Sequence, residues 1–402
     1  MSPDLKTRAH ADAASIGGQD AARLLAALRP HLPSFGVTRV GDLTGLDVIG
    51  IPVAFAARPN ARSLSVTQGK SLDPGEAALG AVMEALEQAF AERTEDLIEI
   101  TGTSAALKAA GKTVANLRRI ARALRIPAAD EPVSWTRAHS LITGDEVYLP
   151  VDLVGLDLRA NAASSPVATQ VSSLGLGAHA TWVRAATHAL MEVLEHNATA
   201  ALDIFGLMPG LARPLSYRRG TDPALDAITA KIEVADLDYQ LYDLSPPQGL
   251  PVIAAAIGEP RAVSFAGYAC RFAPEHAAEA ALLEAVQSRL TMIAGARDDL
   301  KPADYADFAS CSNQGNATRA LDDLPRGHAH LRDAPPAEQL RAAVIAARRI
   351  GAEDVYVAHV GGIPGLMAVV RVITTGLEAS GFNGTALLGR RTLDALLGQA
   401  ER

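Results

Sequence analysis

Pro74-Gly75-Glu76-Ala77-Ala78-Leu79-Gly80-Ala81-Val82-Met83-Glu84-Ala85-Leu86-Glu87-Gln88-Ala89-Phe90 decides how the rest of this 402-residue chain is read. Asp73 is placed to cap a helix, and Pro74 suits the first helical position, where no amide donor is needed. Ala77, Ala78, Leu79, Val82 and Phe90 make the segment strongly apolar, so a helix is expected over Pro74 to Glu92. Glu84 and Glu87 stand three residues apart and share one face of it.

The same device recurs twice. Ala180 to Asp203 is expected as a second long helix and carries Met191-Glu192-Val193-Leu194-Glu195. Glu275 to Ile293 is expected as a third, behind Pro274, and carries Leu283-Glu284-Ala285-Val286-Gln287-Ser288-Arg289. Carboxylates at this spacing repel unless something positive lies between them. Their helices are too apolar to be surface helices, and buried charge needs a cation. On the pattern alone, solvated glutamate faces and a multi-carboxylate metal site both stay open. A donor set of oxygens without His or Cys favours Mg²⁺ over zinc, and Mg²⁺ commonly bridges carboxylates to phosphates.

Around these helices the elements are mixed. Ala21 to Leu28 is expected as a helix ended by Pro30 and Pro33. Val37 to Val40, Val48 to Phe55 and Ser63 to Val66 are expected as strands, the last ending in a loop Gln68-Gly69-Lys70-Ser71. Ser104 to Leu124 is expected as helix interrupted by Gly111, and Trp135 to Val154 as a hairpin about Thr143-Gly144-Asp145-Glu146. Tyr239 to Leu244, Val252 to Ile257 and Val263 to Cys270 are expected as strands. A polar, loop-rich stretch follows over Pro302 to Pro336, then a helix over Glu338 to Ile350 and strands over Val355 to Val360 and Met367 to Thr374. Strands and helices do not alternate strictly. The fold class expected is therefore α+β, with mixed sheets packed against long helices.

Hydrophobic residues make up 49% of the chain and charged residues 20%, enough apolar matter for a large core without disulfides. Aromatics are only 4%, so Ala, Leu and Val must fill that core. The net charge of −8, with no long basic stretch, argues against a nucleic-acid partner. Cys270 and Cys311 are too few and too far apart for a disulfide framework or a compact metal motif, as in a reduced cytoplasmic protein. No apolar run after Met1 to Ala14 is long enough for a signal peptide or a membrane span. His179, His188 and His196 gather around the second helix. Trp135 and Trp182 are expected in the core. Asp298 and Asp299 are expected to cap a helix or pair with Arg297.

Several runs together resemble the YcaO family. They are Thr38-Arg39-Val40-Gly41-Asp42-Leu43-Thr44-Gly45-Leu46-Asp47, Arg62-Ser63-Leu64-Ser65-Val66-Thr67-Gln68-Gly69-Lys70 with the first acidic helix, and Ala189-Leu190-Met191-Glu192-Val193-Leu194-Glu195. Phe265-Ala266-Gly267-Tyr268-Ala269-Cys270 with the third helix and Gly295-Ala296-Arg297-Asp298-Asp299 complete them. The resemblance spans residues 36 to 300 in order, and a weaker likeness continues through Val370-Arg371-Val372-Ile373. It implies one YcaO-like domain over residues 1–402. Most nucleotide motifs then lie in 36–300, with a C-terminal segment over 301–402. It implies ATP and Mg²⁺ as cofactors, held by Glu84, Glu87, Glu192, Glu195, Glu284 and Gln287. The five glutamates would be the metal ligands. Arg289 is a candidate for phosphate or structural pairing, and Lys70 and Arg39 are basic candidates near the site.

The implied reaction is activation of a peptide backbone amide by O-phosphorylation. A side-chain nucleophile of the substrate then yields an azoline, external sulfide a thioamide, and an amine an amidine. Azoline-forming members often end in Pro-x-Pro-x-Pro, whereas this chain ends Leu396-Leu397-Gly398-Gln399-Ala400-Glu401-Arg402. That tilts the expectation to a stand-alone thioamide-forming type acting on a ribosomal peptide or protein with a TfuA-like partner, and leaves a homodimer open. Gly80, Gln88, Leu174, Arg184 and His196-Asn197 depart from the family pattern at nucleotide-contacting positions. A non-catalytic partner subunit is the alternative they raise.

Overall fold

In the computed structural model, residues 21–121, 123, 125–159, 171–202, 211–259, 264–298, 319–378, 392, 393 and 397 are described. Helix α1 (Ala21–Leu28) leads into β1 (Arg39–Asp42), β2 (Val53–Ala57) and β3 (Val66–Lys70), an antiparallel sheet in the order β1-β2-β3. Helix α2 (Pro74–Ala91) turns back along that sheet. Asp73 accepts a hydrogen bond from the Glu76 amide, the cap expected from sequence and worth about 1 kcal/mol.

Next come β4 (Ile100–Thr103), α3 (Ser104–Ala109), β5 (Pro132–Ser140), β6 (Glu146–Pro150) and the one-turn α4 (Val151–Val154). Then β7 (Leu176–His179) feeds α5 (Trp182–Thr199), which Thr181 caps through the Arg184 amide. β8 (Arg213–Ser216), α6 (Pro223–Val234), β9 (Asp238–Asp243), β10 (Val252–Gly258) and β11 (Ser264–Cys270) precede α7 (Pro274–Ala294). The described chain closes with β12 (Arg319–Ala320), α8 (Pro336–Arg349), β13 (Asp354–Ile363) and β14 (Met367–Thr375).

A five-stranded sheet runs β11-β10-β9-β8-β12, and a six-stranded sheet runs β4-β5-β13-β14-β7 with β6 beside β5. Residues 354–375 therefore occupy the middle of the same sheet that holds β7, between elements far earlier in the chain. Three strand–helix units stand out: β3 with α2, β7 with α5, and β11 with α7. Each helix buries an Ala-rich face: Ala81 and Ala85 in α2, Ala185 and Ala189 in α5, Ala281 and Ala285 in α7. Small side chains let helix and strand backbones approach closely. Leu86, Leu190 and Val286 sit beside them at 0% exposure, each contributing roughly 1.5–3 kcal/mol by burial.

A glycine on each strand completes that approach. A methyl placed on Gly69 would meet the Ala77 carbonyl oxygen at 2.1 Å. On Gly177 it would meet the Ala185 oxygen at 2.5 Å, and on Gly267 the Ala281 oxygen at 2.2 Å. This corrects the expectation at Gln68-Gly69-Lys70, which is strand rather than loop. The glycine there marks contact with a helix, not a turn.

Other expectations shift for similar reasons. Val48 to Ile51 is not strand. A 3₁₀ turn at Thr44–Leu46 precedes it, and β2 begins only at Val53. Helix over Ser104 to Leu124 shrinks to α3, because Gly111 has a φ of +74° and ends the run. The described part of Pro302 to Pro336 holds β12 and two 3₁₀ turns. Trp135 is fully buried, donating from Nε1 to the Gly102 oxygen at 2.8 Å. Cys270 is buried as well. Met1 to Ala14, Asp299, Cys311 and most of the tail after Gly376 lie outside the described residues. Among the described residues, no helix is long and apolar enough to cross a membrane.

Candidate functional site

The three acidic helices open onto one cavity of about 840 Å³. Glu84 and Glu87 from α2, Glu192 and Glu195 from α5, and Glu284 and Gln287 from α7 all line it, with Lys70 from β3. A helix rises 1.5 Å per residue against about 3.3 Å for a strand. A glutamate some ten residues into each helix has thus returned to the start of the strand that feeds it.

Backbone amides fix these carboxylates in a repeating order. The first glutamate of each helix is held by its own unit. Glu84 accepts from the Gln68 amide at 3.3 Å, Glu192 from the Gly175 amide at 3.2 Å, and Glu284 from the Tyr268 amide at 3.4 Å. The second is held by the next unit. Glu87 accepts from the Ala178 amide and Glu195 from the Cys270 amide. Between α7 and β3 the ring closes differently: the Thr291 hydroxyl donates to Gln68 Oε1. There Gln287 Oε1 and Gln68 Nε2 are buried without a hydrogen-bond partner among the described residues.

Packing these carboxylates together raises the proton affinity of Glu84, Glu87, Glu192 and Glu195. Burial, then the Glu84 charge, pushes Glu87 up to about 8. Burial, then Glu284, does the same to Glu195. Burial, then Glu87 and Glu195, drives Glu192 well above the carboxylate range, and burial raises Glu84. The opposing cations are Lys70, whose Nζ lies 3.4 Å from Glu284 Oε2, with Arg271 and Arg297 on the cavity wall. His188 also lines the cavity with its side chain open to it, and desolvation by the surrounding protein followed by the Arg271, His179 and Lys70 charges lowers its proton affinity.

Two predicted basic residues lie elsewhere. Arg289 points away from the cavity lining. Its Nε is 3.1 Å from both carboxylate oxygens of buried Asp47, and its guanidinium lies over the Phe265 ring. Arg39 is exposed on β1, over the Phe55 ring at 5.8 Å. A further arginine that acts on the acids is Arg371 on β14, at 0% exposure. It donates to the carbonyl oxygens of Leu153, Ser172 and Ser173 at 3.3, 2.6 and 2.7 Å. These bonds hold the segment that presents the Gly175 amide, and the charge of Arg371 lowers the proton affinity of Glu87 and Glu192. Only its place in a family-like run singled it out in the sequence.

The atypical positions have local partners. Gln88 donates to Glu84 Oε1 at 3.3 Å, and its Oε1 is 3.0 Å from the Ser63 hydroxyl. Ser63 in turn meets Glu92, which pairs with Arg58. This buried chain steadies Glu84 with a neutral amide. A methyl on Gly80 would come within 3.3 Å of the Gly69 Cα, so glycine there keeps α2 against β3. Leu174 packs in the core, and Asn197 accepts from the Glu378 amide at 2.9 Å. His196 lines the cavity. Asp298 accepts a hydrogen bond from the Ser65 amide.

The donor set fits a magnesium-bound triphosphate. Its atoms are oxygens, Glu87, Glu192 and Glu195 hold protons tightly for want of positive charge, and Gln287 keeps an unused acceptor. Among the described residues, no three His, Cys, Asp or Glu side chains converge closely enough to hold an ion alone. That suits Mg²⁺, which takes one or two carboxylates and completes its shell with phosphate and water. A pH test follows. Glu87 and Glu195 bind protons more tightly folded than unfolded, so without metal their contribution to stability falls as pH rises from about 4.5 to about 8. Mg²⁺ with a non-hydrolysable ATP analogue must displace those protons. We expect the rise in melting temperature on adding both to be larger at pH 8 than at pH 6. An equal rise at both would show that these acids do not take the metal.

A family model described as YcaO cyclodehydratase, ATP- and Mg²⁺-binding, matches residues 68–378. A protein from the tfuA 3′ region of Rhizobium leguminosarum bv. trifolii is 34% identical over 399 residues, covering 94% of this chain and 92% of its own. A Mycobacterium tuberculosis protein is 31% identical over 361 residues, covering 88% and 80%. Among solved structures, a heterocyclase in complex with substrate and cofactor superposes with a TM-score of 0.70 at 17% identity. That match covers 94% of this chain, which spans 56% of the heterocyclase. YcaO from Methanopyrus kandleri, bound with AMPPCP and Mg²⁺, superposes with a TM-score of 0.66 at 21% identity, covering 90% and 92%. The match runs from the strand bearing Gln68 through the last central strand bearing Arg371, and so takes in all three acidic helices. The chain belongs to the YcaO family, whose cofactors are ATP and Mg²⁺.

Proposed function

We propose that this protein uses ATP and Mg²⁺ to phosphorylate the oxygen of a peptide backbone amide, and that the product is a thioamide. The observation that carries the first part is the convergence of Glu84, Glu87, Glu192, Glu195, Glu284 and Gln287 on one cavity. The bound nucleotide would supply a γ-phosphoryl group that makes the amide oxygen a leaving group. The chain's own part is positional and electrostatic. The glutamates would hold Mg²⁺, while Lys70, Arg271 and Arg297 would face the phosphate oxygens. Neutral His188 is placed to accept a proton at the cavity wall.

Support for a thioamide comes from gene context. The Rhizobium relative lies beside tfuA, which favours a TfuA-type partner. Burial, then the Glu195 charge, pushes the Cys270 thiol far up, so this cysteine is no sulfur nucleophile, and the proposed reaction takes external sulfide. An azoline-forming reaction is the second reading, favoured by the heterocyclase neighbour.

The test incubates peptides encoded beside the gene with the protein, a TfuA-type protein, sulfide, Mg²⁺ and ATP. Peptide-dependent phosphate release with the mass gained on exchanging oxygen for sulfur is expected. Loss of water from the peptide instead would establish the azoline reading. Failure to bind ATP with Mg²⁺ present would leave only a non-catalytic subunit.

A further inference from the structure

Behind the wall formed by His188 and Arg271 lies a second cavity of about 290 Å³, and its chemistry is the reverse of the first. Arg184, Arg271, Arg332, His179, His188 and His276 line it, and no described Asp or Glu does. Among the described residues, Arg184 has no carboxylate at ion-pair distance. Among the described residues, Arg271 donates only to the Cys270 carbonyl oxygen at 2.8 Å, and Arg332 has one long ion-pair contact, 3.9 Å, to an exposed Asp333. Glu279 feels the fields of Arg332 and Arg271, and Glu195 that of Arg271, but neither acid lines this cavity. Three guanidinium groups with no described acid among the lining residues are a place for an anion.

Two helix starts add to the positive potential. Arg184 is in the first turn of α5 and His276 in the first turn of α7. Helix α7 has no side-chain cap at Ala273, so its leading amides lack the partner that Asp73 and Thr181 provide elsewhere. Thr187 and Gln339 offer neutral hydrogen bonds, and Met191 and Phe272 an apolar floor. That mixture suits a carboxylate carried on an organic chain better than a bare inorganic ion.

We propose that this cavity docks a carboxylate of the peptide substrate, either an acidic side chain or the C-terminus, and thereby sets which amide reaches the adjoining nucleotide cavity. The proposal rests on the amide-activating reading above. It deepens that reading by assigning the substrate an anionic anchor held by Arg184 and Arg332.

The test is calorimetric titration of the full chain without nucleotide, using acetyl-diglutamate amide, acetyl-dialanine with a free C-terminus, and inorganic phosphate. Separate titrations use Mg²⁺ and AMPPCP. One of the two peptides is expected to bind, and whichever binds more tightly names the source of the carboxylate. Arg184→Gln and Arg332→Gln should each weaken it about ten-fold or more, the loss of one charge-assisted hydrogen bond, and leave AMPPCP affinity unchanged. Arg332 is exposed, so its variant should fold even if the Arg184 variant does not.

Binding of neither peptide, while AMPPCP binds, overturns the proposal and spares the nucleotide site. Phosphate binding as tightly as either peptide, or weaker AMPPCP binding in Arg184→Gln with peptide binding intact, also overturns it. The first would make the cavity an oxyanion site and the second part of the nucleotide's. Failure of AMPPCP alone counts against the amide-activating reading, not against the carboxylate anchor.

Discussion

Glu87→Gln and Glu192→Gln should each lower ATP-dependent phosphate release by roughly two to three orders of magnitude while leaving the fold intact. The two parts of this expectation have one cause. Without metal, burial holds Glu87 protonated up to about pH 8 and Glu192 well beyond the carboxylate range. A neutral glutamine has the shape of that neutral acid and can still accept from the Ala178 or Gly175 amide. The melting temperature of the apo variants should therefore match or exceed that of the parent at pH 7. On the proposed site, binding of nucleotide and metal would take those protons and set two carboxylate charges against Mg²⁺, which an amide cannot supply. Steady-state phosphate release, run beside a melting curve for each variant, separates lost chemistry from lost fold. Undiminished release in both would mean that these residues do not hold the metal.

Gly177→Ala and Gly267→Ala should each be strongly destabilising, although each adds a single methyl group. At Gly267 the new carbon would lie 2.2 Å from the Ala281 oxygen and 2.4 Å from the Ala285 nitrogen, and at Gly177 2.5 Å from the Ala185 oxygen. These are backbone atoms of helices pinned in the core, so no side chain can swing aside. The helix must lift from its strand. Overpacking of this kind costs about 1–3 kcal/mol, and more where the surroundings are rigid. The same lift carries Glu192 or Glu284 away from its amide donor, so nucleotide binding should fall with stability. Gly45→Ala, where nothing lies within 4 Å, is the control. Chemical denaturation of all three variants measures the effect. Equal midpoints would mean that the close approaches at Gly177 and Gly267 do not bear load.

Much of this was legible in local sequence. Asp73 before Pro74, apolar residues at helical spacing, and glutamates three apart identify α2 and the face its acids share, because each of those signals acts within one or two turns. The strands of the β13–β14 hairpin were equally plain from their runs of apolar, largely β-branched residues. Gln68-Gly69-Lys70 was not. A glycine required by close contact with a helix eight residues further on has the same spelling as a glycine required by a turn. Ser104 to Leu124 failed in the opposite sense, since its composition favours helix but Gly111 takes a left-handed conformation that ends it.

Arg289 and Arg371 show where the boundary falls. Both are arginines in family-like runs, and nothing in their neighbours tells them apart. One is drawn to Asp47, 242 positions away, and the other to carbonyls near residue 173 and so to the field of two site acids. Sequence alone determined that this chain would make three acid-bearing helices, because amphipathic periodicity and capping are settled within a helical turn. Only the tertiary structure decided that each helix would lie back on a glycine-bearing strand, that the strand amides would be shared in rotation among the carboxylates, and that a cationic cavity would stand beside the acidic one. The pairings between units join residues from 75 to 223 positions apart. They are fixed by which backbones can come close enough to share a hydrogen bond, and that is a property of the packed sheets, not of any one segment.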